Sequence, residues 1–406
     1  MKSKILAMSV AGLLALPIAA LCAQTAAADD VRLPPPAPLS GHTIFLPPKD
    51  MSSDDMIQRL SAPTAEPSEP YWSTSFTDQA THVVYKNIFM LGLNPELPAS
   101  NRAVAAKVVV IPVIIKIGTT VFDPATIDTA CEPKGSAITL IKKSPLFNAF
   151  TLKVGTTTVG TGQYPDLFQR GNFYAFIKAR TPKYNLVLEP SYTNPITFTA
   201  TGGSVFGACG KGLGVFDISE WDSFAQNIIQ ANPKLLPPNV FPFFIFYNVV
   251  LDQNNNTGDC CILGYHSALS NKNFANAFQA YGVGDFDSSR DFTGTSDISA
   301  LSHEVDEWQD DPTGTNPTPS WGNIGQVSAC QANLEVGDPL SGNIYPITMN
   351  GFVYHVQDLA FVSWFYETKP SIGSNGWYSL FGTDEKDAND STRRNFKTTP
   401  AVEPCK

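Results

Sequence analysis

No two of the seven cysteines in this 406-residue chain stand in the C-x-x-C spacing, which argues against a cysteine-held metal cluster or a dithiol redox motif. No Gly-x-Ser-x-Gly elbow occurs, so the serine-nucleophile route of the α/β-hydrolases has no support. An excess of positive charge is missing as well: 27 Lys and Arg face 37 Asp and Glu. Such a chain lacks the basic stripe that nucleic acid or an anionic lipid surface would need. Beyond Leu21 no apolar run reaches the length of a membrane span. The glycine-rich break at 202–214 carries no phosphate-loop Lys-Ser/Thr pair and reads as a plain loop. Histidine is scarce, with five in the whole chain, so an imidazole-based site must draw on few positions.

What is present begins at the N-terminus. Lys2 and Lys4 precede an uncharged apolar run from Ile5 to Leu21, and Ala26-Ala27-Ala28 supplies small residues before Asp29. That order predicts a cleaved signal peptide over 1–28 and an exported protein, secreted or periplasmic, with no integral membrane segment after cleavage. Cleavage would leave 25 basic against 37 acidic residues, a net charge of −12. It would also remove Cys22, leaving Cys131, Cys209, Cys260, Cys261, Cys330 and Cys405. An even count in an oxidising compartment predicts disulfides. Adjacent Cys260 and Cys261 are expected to pair elsewhere, because neighbour bonding is strained.

Residues 29–80 are rich in Pro, Ala and Ser and read as an extended arm. Over 81–200, short β-branched runs such as Ala105–Ile117 and Phe150–Val159 alternate with turn residues and predict an antiparallel β-rich part. The remainder, 201–406, holds a predicted helix from Ser219 to Ala231, an apolar strand at Phe241–Leu251, and the only motif with clear chemistry.

That motif lies on a helix predicted from Asp297 to about Asp310, with Thr295 and Ser296 as caps and Pro312 as its stop. Ile298, Leu301, Val305 and Trp308 form one apolar face. His303 and Glu307 stand one turn apart on another side, with Asp310 and Asp311 beside them, so they can point at one spot. His-Glu-x-x-Glu differs from the zinc-protease motif His-Glu-x-x-His in its last position alone. His303 and Glu307 are therefore the candidate metal ligands, and Glu304 the candidate catalytic base acting on metal-bound water. A carboxylate in place of an imidazole hardens the site: a divalent metal is expected, zinc first, with manganese, iron or calcium open. For a third ligand, Glu335 ranks first, Asp338 second and His266 third. Tyr354 and His355 are candidate oxyanion donors. The Asp285–Asp291 stretch lacks the EF-hand glycine and terminal Glu, so it makes a poor calcium loop.

Three segments together resemble a group of uncharacterised bacterial exported proteins: Thr161–Arg170, Cys260–Ser267, and Leu301–Glu307 with Leu334–Asp338. The last two also resemble the plant EXORDIUM or phosphate-induced family, which carries a similar Ser-His-Glu-x-x-Glu helix followed by a Glu-Ile-Gly-Asp element. Here Val336 stands where that family has Ile. The resemblance spans roughly residues 100–370 for the bacterial group and little beyond the motif region for the plant family. It implies that His303, Glu304, Glu307, Glu335 and Asp338 belong to one site, and it supplies no reaction.

The expected fold is α+β: an antiparallel β-rich protein packed on the His-Glu-x-x-Glu helix, metalloprotease-like. The expected activity is a metal-dependent hydrolase, a peptidase acting on peptide or protein. Two other readings stand beside it: a non-enzymatic exported binding or signalling protein with a structural acidic helix, and a carbohydrate-active enzyme using Glu304, Glu307 or Glu335 as a carboxylate pair.

Overall fold

One mixed sheet organises the chain. Its path runs Ser204–Phe206, Leu213–Asp217, Val249–Asp252, Ile262–Asn271, Ala277–Phe286, Phe241–Tyr247, Ala103–Ile117 and Thr120–Phe122. His42–Leu46 adds to Ile262–Asn271, while Asn185–Tyr192 and Ile196–Thr199 add to Ala103–Ile117. This computed structural model describes residues 41–61, 66–154, 156–178, 183–207, 209–324, 326–369, 372 and 378–382. The predicted signal over 1–28, the start of the proline-rich arm and Cys405 lie outside the described residues.

The β-rich mixture of strands and helices is as expected, but the antiparallel expectation needs correction. Phe241–Tyr247 runs parallel to both of its neighbours, and all three added strands pair in parallel. Ile262–Asn271 with Ala277–Phe286 is the long antiparallel pair. The reason is burial on both faces. Phe241–Tyr247 and Ile262–Asn271 are buried at every position, and parallel strands covered on both sides read as continuous apolar runs.

Side-chain alternation divides the sheet between two cores. Val109, Ile111, Val113 and Ile115 join Phe244 and Phe246 in one, against Trp221, Ala225 and Ile229 of the helix Ile218–Ala231. Ala106, Val108 and Val110 join Phe243 and Ile245 in the other, against Leu301, Val305 and Trp308 of the helix Ser299–Asp310. Trp308 stacks on Phe241 with ring centroids 3.8 Å apart. Pro112 sits mid-strand, where the partner of Ala103–Ile117 changes from Asn185–Tyr192 to Ile196–Thr199. A residue without an N–H is tolerated at such a break in the ladder.

The stretch read as an extended arm does not stay apart. From His42 it enters the main sheet, and Ser53–Ser61 forms a helix. Its proline content marks the flanks of these short elements, at Pro47-Pro48 for example, rather than an unstructured whole. The disulfide expectation is met by Cys131–Cys209. The expectation that Cys260 and Cys261 pair elsewhere is overturned: they bond to each other, and the peptide between them is cis. Among the described residues no helix is long and apolar enough to cross a membrane.

Candidate metal centre

The motif helix, Ser299–Asp310, is buried along its whole length. An acidic helix face is ordinarily solvated. Instead the helix lies on Ile262–Asn271 and Ala277–Phe286 and is covered by Val84–Leu91, Tyr164–Asn172 and Phe352–Gln357. Glycines make the close approach possible. Gly264 pairs with Gly284 and His266 with Gly282 across the two strands. A Cβ on Gly284 would come within 3.1 Å of Leu301, and one on Gly264 within 2.9 Å of Glu304 Cγ. Alternation along Ile262–Asn271 then aims His266, between Gly264 and Ala268, at the helix.

Thr295 and Ser296 do not cap the helix. Ile298 occupies the cap position without a side-chain bond. The Asp297 carboxylate instead accepts from the Ile298 amide at 2.7 Å and contacts His355 Nδ1 at 2.6 Å. His355 is thereby engaged away from the motif, and the Tyr354 hydroxyl donates to the Leu140 carbonyl at 2.9 Å. Neither serves as an oxyanion donor in this arrangement.

His303 and His266 are each oriented by a carbonyl oxygen behind the ring. Gln357 donates through Nε2 to the Gly337 carbonyl at 2.6 Å, which leaves its Oε1 facing His303 Nδ1 at 3.1 Å. Nδ1 therefore carries a proton, and the opposite nitrogen, Nε2, points into the site. There it stands 2.8 Å from Glu307 Oε1 and 3.5 Å from Asp338 Oδ1. The other ring repeats the pattern. His266 Nε2 donates to the Asp311 carbonyl at 3.1 Å, and Nδ1 faces Glu304 Oε2 at 3.1 Å and Glu307 Oε2 at 3.7 Å. An imidazole lone pair facing carboxylate oxygens is repulsive unless a proton or a metal ion lies between. A far N–H held by a carbonyl is the usual support of a metal-binding histidine.

Two sets of three side chains have ligand atoms close enough to share an ion: His303, Glu307 and Asp338, and His266, Glu304 and Glu307. The structure thus groups Asp338, the second-ranked candidate, with His303 and Glu307. The first-ranked Glu335 sits to one side. Its Oε2 is 4.0 Å from His266 Nε2, and Asn333 Nδ2 donates to its Oε1 at 3.0 Å. The carboxylate of Asp311 turns away and accepts from the amides of Thr315, Asn316 and Leu334. That clamp fixes the chain just before Glu335. Asp310 is held by Gln169 and Asn172 of the helix Tyr164–Asn172.

The electrostatics are those of an undercompensated site. Glu304, Glu307, Glu335 and Asp338 are all buried. Among the described residues no Lys or Arg forms an ion pair with any of them. Burial, with the charge of Glu307, pushes Glu304 and Glu335 well above the usual carboxylate range and Asp338 up to about 6. Burial likewise drives the His266 imidazole down to about 4. His303 and Glu307 behave differently. Burial opposes the charged form of each, yet their mutual attraction outweighs it, raising His303 and lowering Glu307. Several buried carboxylates sharing little positive charge are costly unless protons or cations neutralise them.

Three contacts had no signal in the sequence. Thr43 Oγ1 lies 2.6 Å from His303 Nε2, bringing the His42–Leu46 strand across the site. Gln326 grips that strand, accepting from the Thr43 amide at 3.0 Å and donating to its carbonyl, and also donates to Asp338. Gln357 is the third. A signal for Gly337 did exist, in Glu-Val-Gly-Asp: any Cβ there would stand 2.5 Å from the His303 ring. No family model, curated protein or solved structure matches the chain.

Proposed function

We propose that the chain is an exported metal-dependent hydrolase, secreted or periplasmic, that cleaves peptide bonds, with metalloprotease-like use of the His303–Glu307 helix. The observation that carries this reading is the pair of imidazoles locked by carbonyls from behind, with their opposite nitrogens turned onto buried carboxylates. His303, Glu307 and Asp338 would hold a divalent cation, zinc first by the imidazole, with manganese or calcium favoured by the oxygen-rich remainder. Such an ion supplies Lewis acidity toward a carbonyl and acidifies water. Glu304 is the base: its Oε1 has no hydrogen-bond partner, and burial raises its affinity for a proton. Gln357 and Gly337 hold the His303 ring, and Gln326 and Gln331 orient Asp338.

The test combines elemental analysis with a peptide-cleavage assay. Purified protein loaded with zinc or manganese should hold the ion, and Glu307→Ala should lose it. Glu304→Gln should keep a cation while cleavage falls by roughly 10²–10⁴-fold, the usual worth of a general base. Wild-type protein that stays metal-free after loading would refute the reading.

One observation favours the second reading, a non-enzymatic binding protein: the His42–Leu46 strand lies over the site. Under that reading Glu304→Gln leaves the biological effect of the exported protein unchanged.

A further inference from the structure

The two oxygens of Glu307 do not face the same partner. Oε1 stands 2.8 Å from His303 Nε2, and Oε2 stands 3.7 Å from His266 Nδ1. Around His266 Nδ1, Glu304 Oε2 is 3.1 Å away. Ligand atoms about 2.1 Å from one ion stand roughly 3.0–3.4 Å apart in octahedral or tetrahedral geometry. The separations, 2.8 and 3.5 Å in one group and 3.1 and 3.7 Å in the other, lie within a few tenths of an ångström of that spacing, one group on each side of a single carboxylate.

Glu307 Oε2 is the telling atom. It is wholly buried and has no hydrogen-bond donor. The oxygen meets His266 Nδ1 at 3.7 Å, and the proton of that ring is placed on Nε2 by the Asp311 carbonyl. A fully buried carboxylate oxygen thus looks onto a lone pair, with no hydrogen-bond partner among the described residues.

We propose that the site holds two divalent cations rather than one, bridged by Glu307. The first lies between His303, Glu307 Oε1 and Asp338. The second lies between His266 Nδ1, Glu304 Oε2 and Glu307 Oε2. The inference rests on the reading of His303, Glu307 and Asp338 as a cation site and extends it. Ions bridged this way stand about 3.5–4 Å apart, the spacing of two-metal hydrolytic sites. Glu304 keeps its unpartnered Oε1 as the proton acceptor.

The stoichiometry of the full chain decides. Purified protein is loaded with zinc, dialysed and subjected to elemental analysis, and a second sample is loaded with manganese for electron paramagnetic resonance. Two ions per chain are expected, with an exchange-coupled manganese pair signal. His266→Gln should hold one ion and lose the coupled signal. One ion per wild-type chain, with an isolated manganese spectrum at saturation, would overturn the second site and leave the proposed hydrolase standing. No bound ion would sink both. The wild-type resonance measurement keeps the proposal testable should His266→Gln fail to fold.

Discussion

Gly337 sets how closely the Glu335–Asp338 turn approaches the His303 ring. Its missing side chain is a requirement of space: a Cβ would lie 2.5 Å from both Cε1 and Nδ1 of His303. The Gly337 amide donates to Glu307 Oε1 at 3.1 Å, and its carbonyl accepts from Gln357. One residue therefore positions both proposed ligands and the amide that orients one of them. Gly337→Ala must push the ring off Gln357 or the turn off the helix. Overpacking of this kind costs about 1–3 kcal/mol, and loss of ring support lowers metal affinity by roughly 10–100-fold. The variant is expected to fold with a lowered melting temperature and to surrender zinc to a weaker chelator than wild type requires. Unchanged chelator competition would show that the ring is not held where the site needs it.

At the scale of elements, the His42–Leu46 strand makes the least expected contact. It pairs in parallel with Ile262–Ser267, and Thr43 meets His303 Nε2. Gln326 is the clasp, bonded to both the amide and the carbonyl of Thr43. Removing two hydrogen bonds worth about 1 kcal/mol each would make local opening roughly thirtyfold more frequent. Gln326→Ala should therefore speed amide exchange over residues 42–46 and quicken removal of a bound cation by chelator. If both rates stay at the wild-type value, the strand is not what covers the site. How much of the site is legible in sequence follows from the same geometry. His303, Glu304 and Glu307 can be read because helical periodicity fixes them relative to one another. The nearness of Glu335 and Asp338 to that helix can be anticipated only by resemblance. Thr43 and Gln357 come from distant strands and Gln326 from the turn between Pro317–Ile324 and Val327–Asn333, and no local pattern encodes a partner 260 residues away. The parallel pairings were hidden for a related reason: a strand buried on both faces loses the alternation that reveals its partner's direction.

At the scale of the whole molecule, the buried acids give the fold an unusual pH dependence. Burial pushes Glu69 up to about 8, Asp166 to about 7, and Asp310 and Asp311 to about 8 and about 7. Each lies well above its unfolded value near 4, so between those limits the folded chain binds more protons than the unfolded one. Stability is then fully present below the unfolded value and falls as pH rises through the folded ones, by about 1.4 kcal/mol per pH unit for each such group in its window. His266 works in the opposite sense. Held down to about 4, it adds stability as pH rises from there toward its ordinary value, but it is one group against several. The metal-free protein should therefore melt at a higher temperature near pH 5 than near pH 8. A bound cation neutralises Glu304, Glu307 and Asp338 without protons, and it competes with protons for them. Adding zinc should raise the melting temperature much more at pH 8 than at pH 5, which scanning calorimetry of the metal-free and loaded proteins can measure. A metal-free protein whose melting temperature climbs from pH 5 to pH 8 would mean that these carboxyls are ionised and stabilised in the fold by partners other than protons. The charge deficit behind the cation site would then disappear with them.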